Sequence, residues 1–122
     1  MVKKGRILIC DDEAGVREAM TLILGKEYHL LYATNGQEAL ETVRKQDPDM
    51  VIMDIKMPRL GGLETLPKMK QVKPSLKILI VSGYDSSDVA AQAIHLGADN
   101  YLTKPFARDD IRTQVRTLLG SS

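Results

Sequence analysis

"LKILIVSG", residues 76–83, decides the fold. Ile78, Leu79, Ile80 and Val81 follow one another with no polar residue between them, and Ser82-Gly83 closes the run. A strand with one wet face alternates polar and apolar residues. One that is apolar throughout is covered on both faces, as in a parallel sheet flanked by helices. The other apolar runs fit the same plan: "RILIC" (6–10), "YHLLYA" (28–33), "DMVIMD" (49–54) and the short "DNYLT" (99–103).

Helical patterns fill the intervals. Val16, Met20, Ile23 and Leu24 fall at helical spacing with Gly25 as a stop; Ala39, Leu40 and Val43 mark a second helix that must end before Pro48. After a break at Met57-Pro58, Gly61-Gly62 opens a third helix carrying Leu63, Leu66 and Met69. Pro67 falls inside it, so a start near Glu64 or a bend is expected. Asp85 or Ser86 can cap a fourth helix that Gly97 ends, and Ile111, Val115, Leu118 and Leu119 stripe the last. Five strand–helix units are too few for an eight-stranded barrel. What remains is an α/β, doubly wound, five-stranded parallel sheet with expected order 2-1-3-4-5, forming one domain over residues 1–122.

Composition narrows the function. Seventeen Lys and Arg against 16 Asp and Glu leave a net charge of +1, so no basic surplus points to nucleic acid. The apolar run after "MVKKGR" is too short for a signal peptide or a membrane span. Cys10, the single cysteine, sits in an apolar run and reads as a buried, inert thiol, which makes the cytoplasm the expected location. His29 and His95 lack partners at metal-ligand spacing and read as structural or surface residues. Neither phosphate-cradling glycine motif occurs.

In an open parallel sheet the site lies beyond the carboxyl ends of the strands, where strand order reverses. Strand 1 ends there in Asp11-Asp12-Glu13, strand 3 in Asp54, strand 4 in Ser82 and strand 5 in Thr103-Lys104. Asp11-Asp12-Glu13 could also serve as the acidic first turn of helix 1. Three aspartates in one crevice need a cation between them, and carboxylates with partial hydration suit Mg²⁺. Lys104 and Ser82 on the far side suit the oxygens of a phosphoryl group, and Asp54, alone at the end of the central strand, is the candidate nucleophile.

"ICDDE", "VIMDIKMPRLGG", "LIVSG" and "YLTKPF", in that order over nearly the full length, resemble the receiver domain of bacterial two-component response regulators. That resemblance implies phosphorylation of Asp54 by a histidine kinase or phosphotransfer protein. It implies Mg²⁺ held by the side chains of Asp12 and Asp54 and the Lys56 carbonyl, with Asp11 acting through water. Ser82 and Lys104 would bind phosphoryl oxygens, Tyr101 would be the switch aromatic, and Lys104-Pro105 a cis peptide. The chain is then a switch rather than an enzyme. Its helix 4–strand 5–helix 5 face would meet a second copy or an output partner, and neither nucleic acid nor membrane is bound directly. Two rivals share parts of the pattern. A Mg²⁺-dependent phosphohydrolase would want a second carboxylate where Lys56 stands, and a flavodoxin-like binding module would want a Ser/Thr/Gly phosphate loop where "DDEAG" repels anions.

Overall fold

Every central strand is apolar at successive positions because its two sides feed two different cores. The computed structural model describes residues 3–56, 61–83 and 87–120. Its strands are β1 (Arg6–Cys10), β2 (His29–Ala33), β3 (Met50–Met53), β4 (Lys77–Ser82) and β5 (Asn100–Thr103). They pair in parallel in the order β2-β1-β3-β4-β5. The helices α1 (Ala14–Leu24), α2 (Gly36–Gln46), α3 (Gly62–Val72), α4 (Ser87–His95) and α5 (Arg108–Leu119) alternate with them. Ile7, Ile9, Met50, Ile52, Leu79 and Val81 face α1 and α5. Leu8, Cys10, Val51, Met53, Ile78 and Ile80 face the other way, toward α2, α3 and Ala93 of α4. Each such fully buried aliphatic side chain contributes about 1.5–3 kcal/mol, and the alternation of facing is the period-2 geometry of a strand.

β2, β3, β4 and β5 each begin one residue later than the apolar runs suggested, and for β3 and β5 the reason is the same. Asp49 precedes β3: its N–H donates to the Arg6 carbonyl at 2.9 Å, and its Oδ2 accepts the Arg6 N–H at 2.9 Å. Asp99 precedes β5 and repeats the device on Ile78, with distances of 2.8 and 2.8 Å. Each aspartate side chain thus takes the place of a ladder carbonyl and closes the edge of a strand pair. Asn35 caps α2 by accepting the Glu38 N–H at 2.9 Å, while the Glu38 carboxylate reaches back to the Thr34 N–H at 2.7 Å. This is a variant of the capping box.

The late start expected for α3 is not observed. The helix opens at Gly62, whose N–H is held by the Ile55 carbonyl at 2.9 Å, so Pro67 lies beyond the first turn. Proline has no N–H to give the Leu63 carbonyl. Close packing fixes the start: a Cβ on Gly62 would lie 2.5 Å from the Asp54 carbonyl oxygen and 2.7 Å from Ile55 Cα. Gly97 ends α4 as expected, with φ 121°. The proposed caps Asp85 and Ser86, and the break at Met57-Pro58, lie outside the described residues. No helix among the described residues is long and apolar enough to cross a membrane.

Candidate functional site

The register of the sheet brings the polar strand ends together. Met53 pairs with Cys10 and with Ile80, which puts Asp11, Asp54 and Ser82 on three adjacent strands at one edge. The Asp11 N–H donates to the Ala33 carbonyl and the Asp54 N–H to the Cys10 carbonyl, both at 3.1 Å, so the two backbones continue the ladders past the strands. Lys104 follows β5, and its N–H donates to the Ser82 carbonyl at 2.7 Å. The Lys104-Pro105 peptide is cis.

Here Asp12, Glu13, Asp54, Lys56, Ser82, Gly83 and Lys104 line a cleft of ≈ 440 Å³. Lys104 is its hub. Its Nζ donates to Asp11 Oδ2 at 3.1 Å, Glu13 Oε1 at 3.1 Å and Asp54 Oδ2 at 3.0 Å. The other Asp54 oxygen accepts the Lys56 N–H at 3.2 Å, and the other Asp11 oxygen the Glu13 N–H at 2.9 Å. Arg17 of α1 donates to the Asp11 carbonyl at 2.8 Å and ties that helix to the site.

Burial sets the electrostatics. It raises the Asp11 carboxyl above the usual range, against the pull of the Glu13 N–H and Lys104. Burial alone would lower the Lys104 ammonium, but its hydrogen bonds to Asp54, Asp11 and Glu13 outweigh that and raise it. The Cys10 thiol beneath the site is pushed up to about 12, first by burial and then by the charges of Asp11, Glu38, Asp54 and Asp12.

Asp11, Asp54 and Lys104 are therefore in direct contact, with Asp12 and Ser82 in the same cleft. The Lys56 side chain is exposed at the rim and forms none of the ion pairs found among the described residues, so the acids' cation is Lys104. Tyr101 is not in the cleft. It pairs with Ile80 on β5, half-buried against the α2–α3–α4 core. His29 and His95 are exposed and Cys10 is buried, as the sequence implied. Sequence reasoning missed the Glu13–Lys104 contact, the Arg17 tie and the close approach at Gly62; only the glycine pair gave a signal.

The donor set fits a hard divalent cation. Asp11, Asp12, Glu13 and Asp54 each offer a carboxylate oxygen, and these oxygens lie within 4.8 Å of one another.

Residues 7–116 match the family described as the response regulator receiver domain. Among curated relatives, the sporulation initiation phosphotransferase F of Bacillus subtilis (strain 168) is 36% identical over 115 residues, 93% of either chain. The response regulator MprA of Mycobacterium leprae (strain TN) is 38% identical over 93% of this chain, but the match spans only 50% of its length. Among solved structures, a CheY-like response regulator receiver domain protein from Methanospirillum hungatei JF-1 superposes with a TM-score of 0.90 at 29% identity. That alignment covers 98% of this chain and 95% of the other.

Proposed function

The chain belongs to the receiver domain family of two-component response regulators, and from that premise we propose that Asp54 is the phosphoacceptor of a signalling switch spanning residues 1–122. The observation that carries this is the placement of one nearly buried carboxylate at the end of the central strand, facing a cleft with an ammonium 3.0 Å away. A histidine kinase or phosphotransfer protein is the donor. The P–O bond to Asp54 forms as the donor's P–N bond breaks, and the imidazole leaves with the bonding pair.

The residues divide the work. The apolar β3 strand mounts Asp54 rigidly, so little freedom is lost on the way to the transition state. Lys104 and Ser82 take up phosphoryl oxygens as charge develops on them. Asp12, Asp54 and the Lys56 carbonyl would hold Mg²⁺, with Asp11 acting through water. When bound, Mg²⁺ supplies the positive charge that lets a phosphoryl group approach clustered carboxylates. Hydrolysis of the acyl phosphate resets the switch, so the chemistry stays on this chain's own side chain. Attraction of Ser82 to the phosphoryl group and an inward Tyr101 bias the α4–β5–α5 face between two arrangements. A second copy or an output partner meets that face, in the cytoplasm.

Incubation with acetyl phosphate and Mg²⁺, read by intact mass, tests this. One phosphoryl group should add to the wild type, should be released by hydroxylamine, and should not add to Asp54→Ala. Equal labelling of both proteins contradicts the assignment. Steady release of phosphate from small phosphate esters would favour the phosphohydrolase instead.

A further inference from the structure

A lysine ammonium has three N–H bonds and no acceptor, and Lys104 directs them at three carboxylates within 3.1 Å. The three partners are not equally exchangeable. The side chains of Asp11 and Asp54 are 4% and 7% exposed, while that of Glu13 is 64% exposed. Taking the ammonium from a buried carboxylate leaves an uncompensated charge, whereas an exposed carboxylate returns to water at little cost.

A second observation concerns the backbone of Glu13. It is the N-cap residue of α1, and its side chain, longer than the Ser, Thr, Asp or Asn that cap helices, makes no capping bond and is left for another partner. Its N–H is fixed on Asp11 and its carbonyl accepts the Val16 and Arg17 N–H groups. The backbone is held, and the carboxylate goes to Lys104.

We propose that Glu13 is a positioning residue for Lys104: it holds the third N–H of the ammonium while Asp54 is unmodified, and gives way when a phosphoryl oxygen arrives. This rests on Asp54 being the phosphoacceptor. Glu13 thereby restrains the ammonium at rest and sets how readily it reaches an incoming phosphoryl group.

The test uses the whole chain as wild type, Glu13→Gln and Glu13→Asp. Two quantities are measured: the rate of phosphorylation by acetyl phosphate with Mg²⁺, and the NMR signal of the Lys104 ζ-ammonium before and after phosphorylation. Glu13→Gln should shift the resting Lys104 signal and speed phosphorylation about two- to fivefold, the scale of one exposed ion pair. Glu13→Asp keeps the charge but shortens the reach, and should behave like Glu13→Gln. After phosphorylation the Lys104 signals of all three proteins should converge. Wild-type behaviour of Glu13→Asp would reduce the effect to net charge and overturn the contact. An unmoved resting signal in Glu13→Gln would overturn it as well. If the wild type takes no phosphoryl group although the resting signal shifts, the phosphoacceptor assignment fails, and the exchange fails with it.

Discussion

The two ends of the sheet treat charge in opposite ways. At the end where the strands begin, the acids have their own partners. Asp49 takes the Arg6 N–H, Asp99 takes the Ile78 N–H and the Lys70 ammonium, Asp47 pairs with Lys73 at 2.8 Å, and Glu27 with Arg112 at 2.7 Å. At the end where the strands finish, the carboxylates of Asp11, Asp12, Glu13 and Asp54 crowd together, and among the described residues Lys104 alone forms ion pairs with them, three in all. The first arrangement closes a fold. The second gathers four carboxylates around one ammonium, a concentration of like charge expected where function rather than stability sets the arrangement.

The largest expected effect lies at the junction of the crowded end with α3. Gly62→Ala puts a methyl against backbone on two sides, which a side-chain rotation cannot relieve. A loss of about 3 kcal/mol is expected, the upper part of the range for overpacking, read from denaturant unfolding. A loss near zero would mean that α3 is not seated on β3 as described.

Next come two acids compared directly. Asp99→Ala strands the buried Ile78 N–H and should cost about 1–3 kcal/mol. Asp12→Ala removes an exposed charge from the crowded cluster and should change stability by no more than about 0.5 kcal/mol, or raise it. Equal losses from both would erase the contrast between the two ends.

A smaller effect is expected from pH. Burial alone would raise the Glu27 carboxyl, but the Arg112 hydrogen bond and the charges of Arg112, Lys4 and Arg116 hold it below the usual range. A carboxyl depressed in the folded state binds fewer protons there than in the unfolded chain. Its contribution is therefore complete above the unfolded pKa and lost as pH falls through the folded one. Wild type should exceed Glu27→Gln in stability at neutral pH, and the difference should shrink on acidification. A difference independent of pH would assign Glu27 a role other than its ion pairs. The smallest perturbation is expected at Cys10. With its pKa pushed up to about 12 and its side chain buried, the native thiol should resist alkylation at about pH 8 and react once the chain is unfolded. Rapid native alkylation would show an open path to the core.

Much of this was legible in the sequence because strand ends are local facts. Continuous apolar runs located β1, β3 and β4, whose carboxyl ends carry Asp11, Asp54 and Ser82, and the short run of β5 leads to Lys104. Charge pairing was not legible. Lys56 stands beside the acids in sequence, yet Lys104, arriving from β5, is the ammonium that reaches them. Asp49 and Asp99 read as first strand residues, since only the neighbouring strand shows that their side chains close a ladder. Pro67 argued for a late start of α3 from local propensity, and the tertiary packing of Gly62 on Asp54 and Ile55 overrides it.

The central claim is that one carboxylate, Asp54, carries the phosphoryl group, and borohydride trapping tests it most directly. Reduction of an aspartyl phosphate converts that one side chain to homoserine, which peptide mass mapping locates in the chain. After treatment with acetyl phosphate and Mg²⁺, homoserine is expected at residue 54 and at no other aspartate. Conversion at residue 11 or 12, or equal recovery of unmodified Asp54 with and without acetyl phosphate, would contradict the account.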